Sequence, residues 1–137
     1  MITKLIVGDD IKVHDYAEDL RGYFLDFTRN SYDQRTLQEL DDDVLELFSK
    51  LYKRDLNDLV CGLSVAEQNV IYLLDDIYLS NTVVVNNVEL GMNPAKHQQW
   101  VKLFMGFCES KGVTNLYMTT CSNYICSMFY DENIIRL

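Results

Sequence analysis

The segment from Asn93 to Gly112 constrains the fold more tightly than any other part of the chain. Asn93 has the side chain of a helix cap, and Pro94, the only proline, has the fixed φ of a first helical residue. Trp100, Leu103, Phe104, Phe107 and Cys108 then recur at helical spacing, and Gly112 supplies a stop after Lys111. An amphipathic helix of this kind must bury its stripe against a second layer. Val113 to Thr119, with Leu116, Tyr117 and Met118, is a strand candidate directly behind it. Helix against sheet is therefore the architecture to expect.

The N-terminal half reads less sharply. Ile2, Leu5, Ile6 and Val7 suggest a short strand that stops at Gly8-Asp9-Asp10. Tyr16, Leu20, Tyr23, Phe24 and Phe27 predict one face of a helix, with Asp15 as its cap. Thr36-Leu37-Gln38-Glu39 has the form of a capping box. Leu37, Leu40, Val44, Leu47, Phe48 and Leu51 would form the buried stripe of the helix it opens. The run Asp41-Asp42-Asp43 falls in its early turns, where negative charge suits the helix dipole; consecutive residues diverge around a helix, so it reads as a solvated face rather than a metal site.

From Leu63 to Met92 the pattern predicts strands. Val70 to Leu74 reads as a buried strand followed by an Asp75-Asp76 turn. Ile77 to Leu79 and Thr82 to Val85 read as two strands or one strand bent at Ser80-Asn81. Asn86-Asn87 offers a hairpin turn, because asparagine tolerates positive φ, and Val88 to Met92 would pair back in an antiparallel meander. Beyond the Pro94 helix and its following strand, Ser122 can cap a short helix through Ile125, Met128 and Phe129, and Ile134-Ile135 closes the chain as a last strand. With 137 residues and neither a linker nor a repeat, one domain over residues 1–137 is expected.

Charge and cysteine usage exclude several functions. A net charge of −9 repels nucleic-acid phosphates and anionic membrane surfaces, and favours either plain solvation or a basic partner. No apolar run approaches the roughly 20 residues of a membrane helix, and the N-terminus lacks a signal-peptide layout. A soluble cytoplasmic protein is the expectation. Cys61, Cys108, Cys121 and Cys126 form no CxxC pair and lie apart from His14 and His97, so reduced structural thiols are expected and zinc is not. Cys121 with His97 is a nucleophilic pair only if the fold brings them together. Gly-x-Ser-x-Gly, Walker, dinucleotide and zincin motifs are absent.

Val88 to Ile135 resembles the GNAT (Gcn5-related N-acetyltransferase) family. Met92-Asn93-Pro94 stands where that family has Val-x-Pro before its central helix. Asn123 and Tyr130 hold the spacing of its Asn-x-x-Ala-x-x-x-Tyr pattern, with Cys126 replacing the alanine. The resemblance implies an α/β (α+β) fold with a mixed, mostly antiparallel sheet and helices on both faces. It also implies acetyl-coenzyme A as cofactor if the protein is active. Tyr130 would then protonate the leaving thiolate and Glu89 would deprotonate the amine. Leu90 and Met92 would orient the thioester, with Lys96, His97 and Asn123 beside the cofactor.

The family's glycine-rich pyrophosphate loop has no counterpart in Pro94-Ala95-Lys96-His97-Gln98-Gln99-Trp100, and the segment is shorter by about that loop. The expectation is therefore a GNAT-fold protein without acetyl transfer and without a bound cofactor. It would act as a protein-interaction or structural component, similar to accessory or virion proteins of phages and so found in host cytoplasm or virion. The alternatives are an active N-acyltransferase and an acidic inhibitor of a host protein.

Overall fold

The computed structural model describes residues 1–27, 31–77 and 81–137. Its centre is one five-stranded sheet built from β1 (Ile2–Val7), β2 (Tyr23–Leu25), β3 (Thr82–Val85), β4 (Asn115–Thr119) and β5 (Ile134–Arg136), in the order β2-β3-β4-β1-β5. Every pairing is parallel: Leu5 lies opposite Met118 and Ile134, Val83 opposite Leu116 and Tyr23. The helices are α1 (Asp10–Asp19), α2 (Asp42–Leu51), α3 (Val65–Asp76), α4 (His97–Ser110) and the single turn α5 (Asn123–Cys126).

The layering follows from two elementary rules. Successive strand residues face opposite ways, and parallel crossovers are right-handed. From β2 to β3 to β4 and on to β5 the chain steps across the sheet in one direction, so α2, α3, α4 and α5 gather on one face. The connection from β1 to β2 runs the other way and lays α1 on the opposite face. Leu5, Val83, Val85, Leu116 and Met118 accordingly pack with the four helices, while Ile6 and Val84 pack with Val13 and Ala17 of α1. On the larger side Trp100, Phe104 and Phe48 are fully buried. Each contributes about 1.5–3 kcal/mol by leaving water.

The mixed, mostly antiparallel GNAT-like sheet is thereby overturned. Among the described residues the antiparallel pairing is one isolated bridge, Thr36 with Leu59. Three misread segments account for the error. Val70 to Leu74 is the middle of α3, which opens on the capping box Ser64-x-x-Glu67 and is buried nearly all round; a short apolar run has no periodicity to separate strand from helix. Asn87 does take positive φ (52°), but the chain beyond it turns back through Leu90 N–H to Asn87 O and Met92 N–H to Glu89 O. Val88 to Met92 is consequently a packed loop, with the Val88 carbonyl accepting from Trp100 Nε1 at 2.8 Å and Asn69 Nδ2 at 3.3 Å.

In the third segment the N-terminal helix begins earlier than expected, capped by Asp9 rather than Asp15, and ends at Asp19; Tyr23 and Phe24 belong to β2. The Thr36 capping box opens a 3₁₀ turn over Leu37–Glu39, after which an extended Leu40 delays α2 to Asp42. In that helix Asp43 pairs with Lys111. The expected Ile77 to Leu79 strand and its Ser80-Asn81 bend fall largely outside the described residues.

Other expectations hold. The strands at Ile2–Val7, Thr82–Val85 and Asn115–Thr119, the Asn93 cap, the Gly112 stop at φ 85° and the Ser122 cap are all present. No helix of the described residues is long and apolar enough to cross a membrane.

Candidate functional site

In an open parallel sheet the natural ligand crevice lies beyond the carboxyl ends of two neighbouring strands whose connections depart to opposite faces. Here those neighbours are β1, which leads into α1, and β4, which leads into α5. A crevice of about 310 Å³ opens at that point. Gly8 borders it from the end of β1, with Asp10, Val13 and His14 from α1. Asn86 and Asn87 enter from the end of β3, and Thr119, Thr120 and Cys121 from the end of β4.

Its floor is fixed by a chain of hydrogen bonds. Thr119 Oγ1 accepts from Asn87 N–H at 2.8 Å and donates to Asn86 Oδ1 at 2.7 Å, while Asn86 Nδ2 donates to Asp26 at 3.2 Å. Thr120 Oγ1 accepts from Ser122 N–H at 3.0 Å and donates to Glu89 Oε1 at 2.8 Å. The same carboxylate oxygen accepts from Cys121 N–H at 2.8 Å. The other oxygen, Glu89 Oε2, is buried without a partner among the described residues. Asn87, on this rim, takes positive φ, a conformation asparagine tolerates.

The entrance of α1 brings carboxylates to the edge of the crevice. Asp9 accepts from Ile11 N–H at 3.2 Å and Lys12 N–H at 3.3 Å. The amides that a phosphate would use at a helix N-terminus are occupied by a carboxylate. Asp10 follows directly, and among the described residues no lysine or arginine lines the crevice. Cys121 is exposed, and its thiol is pushed above the ordinary range by burial of its sulfur and by the nearby carboxylates of Glu89 and Asp10. It stays protonated at neutral pH and is a poor nucleophile.

The residues singled out from sequence are spread over the loop after β3, the front of α4 and the segment around α5. Glu89 lies in the loop after β3 and is engaged with Thr120 and Cys121, as above. Leu90 and Met92 belong to the same loop, and Met92 O accepts from His97 Nε2 at 3.0 Å. Ser122 Oγ lies 2.7 Å from His97 Nδ1. With Nε2–H donating to the carbonyl, Nδ1 accepts the serine proton, so both nitrogens of this buried ring are committed and none is left for Cys121. Lys96 donates to Leu51 O at 2.6 Å and sits over the Tyr52 ring. Ala95 N–H donates to Asn93 Oδ1 and Lys96 N–H to Asn93 O, so the helix front is capped from within. Asn123 is an exposed first residue of α5, and Tyr130 is 79% exposed.

Another cavity, of about 210 Å³, is bordered by Asp33, Arg35 and Asp75. There Arg35 is already paired, at 2.8 Å to Asp33 and 2.9 Å to Asp75.

The chain matches no known protein-family model and no curated protein.

Proposed function

We propose that this chain is a small-molecule-binding α/β domain that seats its ligand in the crevice beyond β1, β3 and β4. One observation carries the reading: the cavity coincides with the place where the connections from neighbouring strands diverge. Its size suits a small molecule, since it lies at the lower end of the roughly 300–1,000 Å³ typical of ligand pockets. Acetyl transfer is not the activity in this reading. The Pro94 helix front has its amides capped by Asn93, and Glu89 is tied to the β4 end rather than free to take a proton.

A backbone-amide NMR titration of the full chain with a fragment library tests it. Binding fragments should shift Gly8, Asn87 and Cys121 together, and acetyl-coenzyme A should leave the thermal midpoint unchanged. Hits confined to other surfaces, or a saturable stabilisation by acetyl-coenzyme A, overturn the proposal.

A second reading, a component that docks on a basic protein partner, is favoured by the exposure of Tyr124 (58%) and Tyr130 (79%) together with the net charge of −9. It is compatible with a ligand in the crevice.

A further inference from the structure

We propose that the crevice selects a cationic ligand, a small molecule carrying a protonated amine, with the Asp10 carboxylate as its counter-charge. This deepens the proposed function and rests on it. Three elements bring negative charge to the same opening: Asp9 and Asp10 at the start of α1, Asp26 behind Asn86, and Glu89 behind Thr120 and Cys121. Of these, Asp26 and Glu89 are engaged by neutral amide and hydroxyl donors, which leave their charge uncancelled. Glu89 retains an unpartnered buried oxygen.

Two basic side chains nearby have carboxylate partners of their own. His14, on the rim, lies 3.7 Å from Glu18, and Arg136 reaches Asp131 instead. The Cys121 thiol is pushed up mainly by burial, and further by the carboxylates of Glu89 and Asp10 beside it. An anionic ligand would meet that field with the α1 amides already taken by Asp9. A protonated amine meets the Asp10 carboxylate in that field.

A bare metal ion is the competing cation. The crevice is large for one, and the described ligand set with atoms within 4.8 Å of one another is His14, Asp15 and Glu18, on the surface of α1.

The test compares three four-carbon probes and one metal ion on the full chain at low ionic strength, read by amide shifts and thermal midpoint. The probes are 1,4-diaminobutane, 1,4-butanediol, succinate and zinc ion. The diamine should saturate shifts at Gly8, Asn87 and Cys121, the diol should bind about tenfold more weakly, and succinate should not bind there. Asp10→Asn should weaken the diamine about tenfold, roughly one charge-assisted hydrogen bond, and leave the diol unchanged. Asp9 remains in this variant, so the helix cap and the midpoint without ligand should persist.

Succinate or the diol binding the crevice as well as the diamine refutes the charge inference while leaving the ligand site standing. So does an Asp10→Asn variant that keeps full diamine affinity. Zinc shifting the crevice amides with the diamine silent replaces the amine by a metal. If no probe moves the crevice amides, and the fragment library does not either, both the inference and the proposed function fall.

Discussion

At the scale of the residue, most polar side chains buried on the larger side of the sheet find partners, as α3 shows, although Asn69 Oδ1 and the Tyr52 hydroxyl have none among the described residues. Helix α3 carries Glu67, Gln68 and Asn69 in succession with exposures of 2%, 4% and 1%. Glu67 receives both Arg54 nitrogens at 2.7 Å as well as the Ser64 hydroxyl and backbone of its capping box. Gln68 holds the Val60 carbonyl and Asn69 the Val88 carbonyl. Burial pushes the Glu67 pKa up, but the Arg54 and Ser64 hydrogen bonds outweigh it and hold the carboxyl below its usual 4.5. Replacing Glu67 by alanine should cost about 2 kcal/mol, from the lost cap and charge-assisted bonds. The pH dependence has a definite sign. A carboxylate with a depressed folded-state pKa stabilises fully above its unfolded value and loses that contribution as pH falls through the folded one. The stability gap between wild type and Glu67→Gln, measured by urea unfolding, should therefore be constant near neutrality and close as the pH drops below 4.5. A gap that widens in acid would contradict this.

At the scale of the element, the strands are short and depend on tight joins. Gly8 has φ 135°, and a Cβ there would overlap the Leu137 carbonyl as the chain beyond β5 passes over it. Leu137 N–H donates to Val7 O at 2.9 Å, extending the pairing of β5 with β1. Gly8→Ala should cost about 2–3 kcal/mol through a disfavoured backbone and this overlap. Hydrogen exchange would show the Leu137 amide losing protection while Met118 in β4 keeps it; unaltered exchange at Leu137 would count against the contact.

What the sequence disclosed also divides by element. Local signals were readable: the Asn93-Pro94 start, the Gly112 stop, the Ser122 cap and the strand at Leu116 to Met118. The Ser64-x-x-Glu67 box was equally present, and weighing it would have recovered α3. Strand direction was not readable from turn residues alone, because Asn87 takes the same backbone conformation in a loop as in a hairpin. The one hint was the Val83-Val84-Val85 run, with no exposed residue, as expected of a strand covered on both faces. The crevice left no pattern, since Gly8, Asp10, Asn87 and Thr120 come from three separated segments and meet only through strand order. Gly8-Asp9-Asp10 read merely as the end of a strand.

At the scale of the whole molecule, the two sheet faces are covered unequally among the described residues, by α1 on one side and by α2, α3, α4 and α5 on the other. The exposed aromatic residues Tyr124 and Tyr130 flank the C-terminal join between α5 and β5. If they serve a partner rather than the fold, Tyr124→Ser with Tyr130→Ser should leave stability within about 0.5 kcal/mol. A larger drop in the unfolding midpoint would assign the rings to packing and remove the observation that favours a partner.

The strand order has a consequence for how the protein is made. Within the sheet β1 is made before the other strands, yet its two neighbours, β4 and β5, are the last two made. Until Asn115 to Thr119 emerges, Leu5 and Ile6 have no strand beside them, and the nascent chain carries an open apolar ribbon while the intervening elements are made. Long-range parallel pairing of this kind closes slowly and leaves sticky edges exposed meanwhile. Translation that stalls within α4 would release a chain whose central strand has nothing to join.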